Sequence, residues 1–214
     1  MLLSVKDRQA LGQALGGLEG EVRLLAFTDR AASWQACPFC GETVALVEEL
    51  AVASDKVSLE VHDVEAEPEL AAFYRVDAVP ALAMVGPDGV DPGIRFFGIP
   101  AGFELAALLQ ALAELSSGDP ALQPSTVEAL AGLHEDVVIK VFVTPTCPYC
   151  PRALMAMQMA MASNRVRAEV VEVTEFPELA DRYRVMAVPT IVINDSAEAA
   201  GALPEASFVG AVLD

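Results

Sequence analysis

The chain has little of what several classes of protein depend on. Among 214 residues only 2 are histidine, 4 cysteine and 1 tryptophan, and 13 basic residues face 31 acidic ones. A formal charge of -18 repels phosphate backbones and anionic headgroups, so neither a nucleic acid nor a membrane is expected as a partner. No uninterrupted apolar run approaches the roughly 18 residues of a membrane span. The opening Met1-Leu2-Leu3-Ser4-Val5-Lys6-Asp7-Arg8 is broken by charges and lacks the apolar core of a secretory leader, which leads to the expectation of a soluble cytoplasmic protein. With 54% hydrophobic and 21% charged residues the chain has ample material for a packed core.

The cysteines are few, and all of them are paired in sequence. Cys37-Pro38-Phe39-Cys40 and Cys147-Pro148-Tyr149-Cys150 leave none over for a structural framework of the secreted kind, which points to catalysis or metal binding.

Each pair sits in the same order of elements. An apolar run (Val22 to Phe27; Val137 to Val143) precedes the pair. A helical stretch, a second apolar run (Val57 to Val64; Val166 to Val173) and a Val-Pro step (Val79-Pro80; Val188-Pro189) follow it. The segments Pro68 to Pro80 and Pro177 to Pro189 differ only at Ala72/Asp181, Phe73/Arg182 and Asp77/Met186. Such a match marks a duplication.

Glycine and proline in Ser116-Ser117-Gly118-Asp119-Pro120 place the boundary between residues 1–117 and 118–214. Each half reads as a helix (about Val5 to Leu18; about Ser125 to His134), a strand, a helix launched from the cysteine pair, a strand, a short helix over Pro-Glu-Leu-Ala, and a strand from the Val-Pro step. The first half adds a strand near Ile94 to Phe97 and a helix from Phe103 to Leu115. The second ends with Ile191-Val192-Ile193, a loop and a short helix after Pro204. The expected class is α/β, two tandem folds, each a central mixed sheet flanked by helices.

A cysteine where a strand gives way to a helix meets unpaired backbone N–H groups and the positive end of the helix dipole. Both favour the thiolate, the reactive form. Pro38 and Pro148 fix φ where the helix begins and leave no N–H unsatisfied. The next turn brings the second cysteine to the first. Cys37 and Cys147 are therefore expected to attack a substrate disulfide, and Cys40 and Cys150 to resolve the mixed disulfide.

The stretches Val141 to Pro151 and Tyr183 to Pro189 resemble the thioredoxin and glutaredoxin superfamily. Within it, nearly the whole chain is similar to the two-domain protein disulfide oxidoreductases of archaea and thermophilic bacteria. The resemblance implies two thioredoxin-like folds in which Pro80 and Pro189 are cis-prolines facing the cysteines. Val79 and Val188 would then offer backbone groups to a protein substrate, beside Phe39 and Tyr149. Single-domain glutaredoxins carry a lysine shortly before the first cysteine, a Thr-Val-Pro step and a Gly-Gly pair. The corresponding places here hold Thr144, Ala187-Val188-Pro189 and no Gly-Gly, which implies a thioredoxin-reductase-like flavoprotein rather than glutathione as electron source. No cofactor beyond the redox-active disulfides and no metal are expected.

Phe39 replaces Tyr149 and Gly41 replaces Pro151, so the two sites are expected to be unequal. Four thiolates could instead hold zinc or an iron–sulfur cluster, although each pair has a complete half of its own. A chaperone or binding module on the same scaffold is the other alternative. His62 and His134 read as solvated or locally bonded residues, and Trp34 as either packing or a substrate contact. Met155, Met157, Met159 and Met161 cannot share one helix face, so only some are expected to fill the core. No acidic residue recurs just before both cysteine pairs, so no buried catalytic carboxylate is expected.

Overall fold

The apolar runs ahead of the two cysteine pairs form the central strands β1 (Val22–Thr28) and β5 (Val137–Val143) of a computed structural model that describes residues 5–29, 37–201 and 203–213. Trp34 lies outside the described residues. Along β1 the period-two alternation sends Leu24 and Ala26 to one face and Leu25 and Phe27 to the other. Along β5 it separates Val141 from Phe142. Both faces are therefore apolar and both must be covered.

Alternating helices cover them. β1 is followed by α2 (Cys40–Ala53), β2 (Val57–Asp63), α3 (Pro68–Phe73), β3 (Ala81–Val85), β4 (Ile94–Phe97) and α4 (Phe103–Ser117), with α1 (Val5–Leu15) before it. The second half begins with α5 (Pro124–Ala131) and β5. A 3-10 turn (Cys150–Ala153) then leads into α6 (Leu154–Ala162), β6 (Val166–Glu172), α7 (Pro177–Arg182), β7 (Thr190–Ile193), β8 (Ser196–Ala200) and α8 (Glu205–Leu213). The larger core joins Leu15, Leu50, Leu108, Leu112, Met157, Met159 and Phe208 under one face; Ala71, Tyr74 and Tyr183 pack beneath α3 and α7 on the other. Each fully buried Leu or Phe contributes about 1.5–3 kcal/mol.

The strands form one eight-stranded mixed sheet, ordered β2-β1-β3-β4-β6-β5-β7-β8. Parallel pairing of β4 with β6, Ile94 opposite Ala168 through Phe97 opposite Val171, joins the halves. β1, β2, β4, β5 and β6 all run the same way, so both cysteine pairs lie at the same end of the sheet. Four strand spacings separate the axes of β1 and β5, about 19 Å.

The segment after β7 departs from the expected loop. Asn194 (φ 47) and Asp195 (φ 66) form a two-residue turn with both φ positive, and β8 folds back antiparallel on β7. Two positive φ angles suit the right-handed twist of a hairpin, and Asn and Asp tolerate them best after glycine. The Tyr183 hydroxyl donates to Asp195 and ties this turn to the end of α7. At the end of α3, Arg95 on β4 is 2% exposed. Its guanidinium donates to the backbone of Tyr74 and to both carboxylate oxygens of Asp91, so the buried charge is fully paired.

Candidate functional site

At the end of β5 the chain turns through Thr144-Pro145-Thr146, and the Cys147 N–H donates to the Thr144 carbonyl (3.1 Å). The Cys150 N–H then donates to the Cys147 carbonyl (3.3 Å), the turn that brings the two sulfurs together. Cys147 keeps 9% exposure and Cys150 none. Burial pushes the Cys150 thiol up, and its hydrogen bond with Cys147 pushes the same way. The inner sulfur is thus held as a thiol beneath the outer one. No side chain caps the helix here; the Cys150 N–H is taken by the Cys147 carbonyl, Pro151 has none, and the Arg152 N–H donates to the Tyr149 carbonyl at 3.3 Å.

Across from the sulfurs, Val188–Pro189 is cis and the Cys147 thiol donates to the Val188 carbonyl at 3.7 Å. Pro148 and Tyr149 are exposed, Tyr149 by 69%. The first pair repeats the geometry: Cys37 and Cys40 form a disulfide with Cα atoms 5.4 Å apart, Val79–Pro80 is cis, and Phe39 is 40% exposed. Arg75 (φ 54) and Arg184 (φ 52) end α3 and α7 in the same left-handed conformation ahead of each Val-Pro step. The pairs differ where Gly41 and Pro151 differ. Cys40 opens a regular α-helix, whereas Pro151, without an N–H, follows Cys150 into a 3-10 turn.

A carboxylate lies beneath the second pair, contrary to the expectation of none. Glu104, in the first turn of α4, is fully buried with neither oxygen partnered, and its charge adds to the upward push on Cys150. Burial raises its own carboxyl to about 7. The helix comes from the first half and is seated by Gly102 (φ 60), where a Cβ would fall 2.2 Å from the Pro145 carbonyl oxygen. Glycine there lets Phe103 N–H reach that same oxygen at 2.9 Å. A search restricted to residues just ahead of the cysteines could not find Glu104. The signal was a glutamate in register with Ala107, Leu108 and Ala111 on the buried stripe of an Ala/Leu helix. Glu114 in the same helix is buried too, but two hydrogen bonds from Gln158 satisfy it.

Of the predicted residues, Cys147, Cys150, Pro148, Tyr149, Val188 and Pro189 surround one end of the sheet, and Cys37, Cys40, Pro38, Phe39, Val79 and Pro80 another place along the same end. The four sulfurs do not converge. No group of three or more His, Cys, Asp or Glu able to hold a metal occurs among the described residues, and none of their helices is long and apolar enough to cross a membrane. His62 is bonded locally, 3.0 Å from Glu67.

A mixed sheet flanked by helices, with a Cys-Pro-aromatic-Cys turn opposite a cis-proline, defines a thiol–disulfide oxidoreductase. Comparison with known proteins agrees. Residues 137–214 match the thioredoxin domain family. The crystal structure of a protein disulfide oxidoreductase from Aeropyrum pernix superposes over 100% of this chain and 93% of its own, with a TM-score of 0.91 and 30% identity. A thioredoxin of Methanocaldococcus jannaschii is 38% identical over 78 residues, 36% of this chain and 92% of that one. An alkyl hydroperoxide reductase component of Xanthomonas campestris is 27% identical over 154 residues, 72% of this chain, which spans only 27% of that relative's length. The chain belongs to the thioredoxin superfamily.

Proposed function

We infer that the chain consists of two tandem thioredoxin-like folds, residues 1–117 and 118–214, that reduce disulfides of protein substrates in the cytoplasm. The observation that carries this reading is the contact of Cys147 with the carbonyl of the cis Val188–Pro189 step, because an extended substrate strand would meet the backbone of Val188 with its disulfide at that sulfur.

The Cys147 thiolate attacks one sulfur of the substrate disulfide. A Cys147–substrate disulfide forms, and the other substrate sulfur leaves as a thiolate that takes a proton from water. Cys150 then gives its proton, relayed through a water, to Glu104 and attacks Cys147. The mixed disulfide breaks, and the second substrate sulfur departs as a thiolate that takes a proton from water. Substrate has gained two electrons and two protons, and Cys147–Cys150 is oxidised. Val79, Pro80 and Phe39 serve Cys37 and Cys40 as Val188, Pro189 and Tyr149 serve the second pair. A thioredoxin-reductase-like flavoprotein returns the two electrons, a pairing supported by the relative named as a reductase component. With strand axes about 19 Å apart, the two sites act on substrate separately rather than passing a disulfide directly.

Thiol titration with metal analysis tests the reading. The reduced protein is expected to show all 4 cysteines as free thiols and the oxidised protein none, without stoichiometric metal. Stoichiometric zinc with masked thiols would overturn it.

A further inference from the structure

The two cis-proline edges open onto different surroundings. β6 neighbours β4 in the sheet, so the loop and helix that follow β6 rise beside the first cysteine pair although they belong to the second half. Phe176 and Leu179 form a wall facing Pro38 and the Val79–Pro80 edge across a cleft of about 590 Å³. Phe176 is anchored by an edge-on contact with Phe97, ring centroids 6.2 Å apart. The cleft reaches the redox site through Pro38; Ala78, Val79 and Leu179 give it an apolar lining, and it borders the Val79–Pro80 backbone that an extended chain would meet.

Its charged lining is acidic. Asp77 and Glu178 are exposed carboxylates on opposite sides of the cleft. Glu175 is fixed in place: one oxygen accepts the Ile99 N–H at 2.6 Å, while the other is buried without a partner. Gly98 (φ 99) permits this approach, since a Cβ there would come within 2.8 Å of the carboxylate. Burial, with the charges of Glu172 on β6 and Glu42 on α2, raises the Glu175 carboxyl to about 7, and a nearby cation would draw the proton off. The one basic residue among the described lining, Arg182, has its guanidinium over the Tyr183 ring at 5.3 Å. At the second site Met186, 93% exposed, stands where the repeat has Asp77 at the first.

We propose that the cleft beside Cys37 selects extended disulfide segments carrying a lysine or arginine next to the cysteine, and that α7 of the second half supplies the selecting wall. The apolar lining takes the neighbouring side chain while Asp77, Glu175 and Glu178 meet the cation. This deepens the thiol–disulfide exchange reading and rests on it. The second site, with Met186 and Tyr149 at its rim, lacks the selection.

Two cystine peptides that differ only in a lysine or a glutamate beside the cysteine test the proposal. They are presented to the full chain carrying Cys147→Ser and Cys150→Ser, so that only the first site turns over. The lysine peptide is expected to have a kcat/KM about fivefold above that of the glutamate peptide, shrinking as salt rises. Adding Asp77→Asn and Glu178→Gln should bring the ratio to about one, and the chain carrying Cys37→Ser and Cys40→Ser instead should show a ratio near one from the start. Equal rates at the first site, or a ratio that survives removal of both carboxylates, overturns the selection and leaves the exchange reading standing. Reduction of neither peptide, with Cys37 and Cys40 titrating as free thiols, overturns both.

Discussion

Replacing Cys37 and Cys147 together by serine brings insulin-disulfide reduction down to the uncatalysed rate. A serine hydroxyl does not ionise near neutral pH, and neither remaining cysteine can substitute. Cys150 is fully buried with its thiol pushed up, and Cys40 holds the matching inner position at the start of α2. The single replacements are unequal, with Cys147→Ser costing the larger share. Cys150 has Glu104 beside it to take the proton that must leave before resolution, and Cys147 lies under an open rim where Tyr149 and Met186 are exposed. The first site borders a walled cleft that narrows its choice of substrate. Initial rates for wild type, both single variants and the double variant decide the matter. Equal losses from the two single variants would make the sites equivalent, and activity surviving in the double variant would place the chemistry elsewhere.

Glu104→Gln should raise stability at pH 8 while slowing the second site. The folded carboxyl holds its proton up to about 7, and in the unfolded chain it releases it near 4.5. Between these values the native state binds more protons, so stability falls as pH rises through the window, and above it the cost reaches about 3 kcal/mol. Glutamine carries no charge to desolvate and escapes that cost. Thermal unfolding should therefore show the variant ahead of wild type at pH 8 and level with it at pH 4.5. The same change removes the proton acceptor for Cys150, which slows resolution by about 100-fold on the usual scale of general-base catalysis. Release of the second thionitrobenzoate after reaction with Ellman's reagent, in the chain carrying Cys37→Ser and Cys40→Ser, reads that step directly. A variant that is less stable at both pH values, or that resolves as fast as wild type, would remove Glu104 from the mechanism.

These expectations rest unevenly on sequence and structure, for physical reasons. The strands ahead of each pair were legible because Val22 to Phe27 and Val137 to Val143 are apolar on both faces, and β4, expected near Ile94 to Phe97, follows β3 after Gly86-Pro87-Asp88-Gly89. β8 was not legible. Ser196-Ala197-Glu198-Ala199-Ala200 has no β-branched or aromatic residue, and the strand exists because the Asn194-Asp195 turn returns the chain to β7. The junction of the halves was hidden for a related reason. Pairing of Ile94–Phe97 with Ala168–Val171 is a long-range parallel contact, and no local period announces which strand edges will meet. Glu104 and the acidic cleft both follow from that junction, since each brings residues of one half to the cysteines of the other. The cysteine pairs and Val-Pro steps were legible because their geometry is set within a few residues. The surroundings that make the two sites unequal are tertiary.

The central claim is that Cys37 and Cys147 each attack a substrate disulfide and are each released by the cysteine three residues on. Its most direct measurement is mass spectrometry of adducts trapped when the resolving thiols are removed. The chain carrying Cys40→Ser and Cys150→Ser, reduced and then exposed to a disulfide-containing protein, should accumulate mixed disulfides on Cys37 and Cys147 that survive non-reducing digestion. The wild-type chain should accumulate none. Absence of adducts at both cysteines in the variant, with both thiols free, would contradict the account.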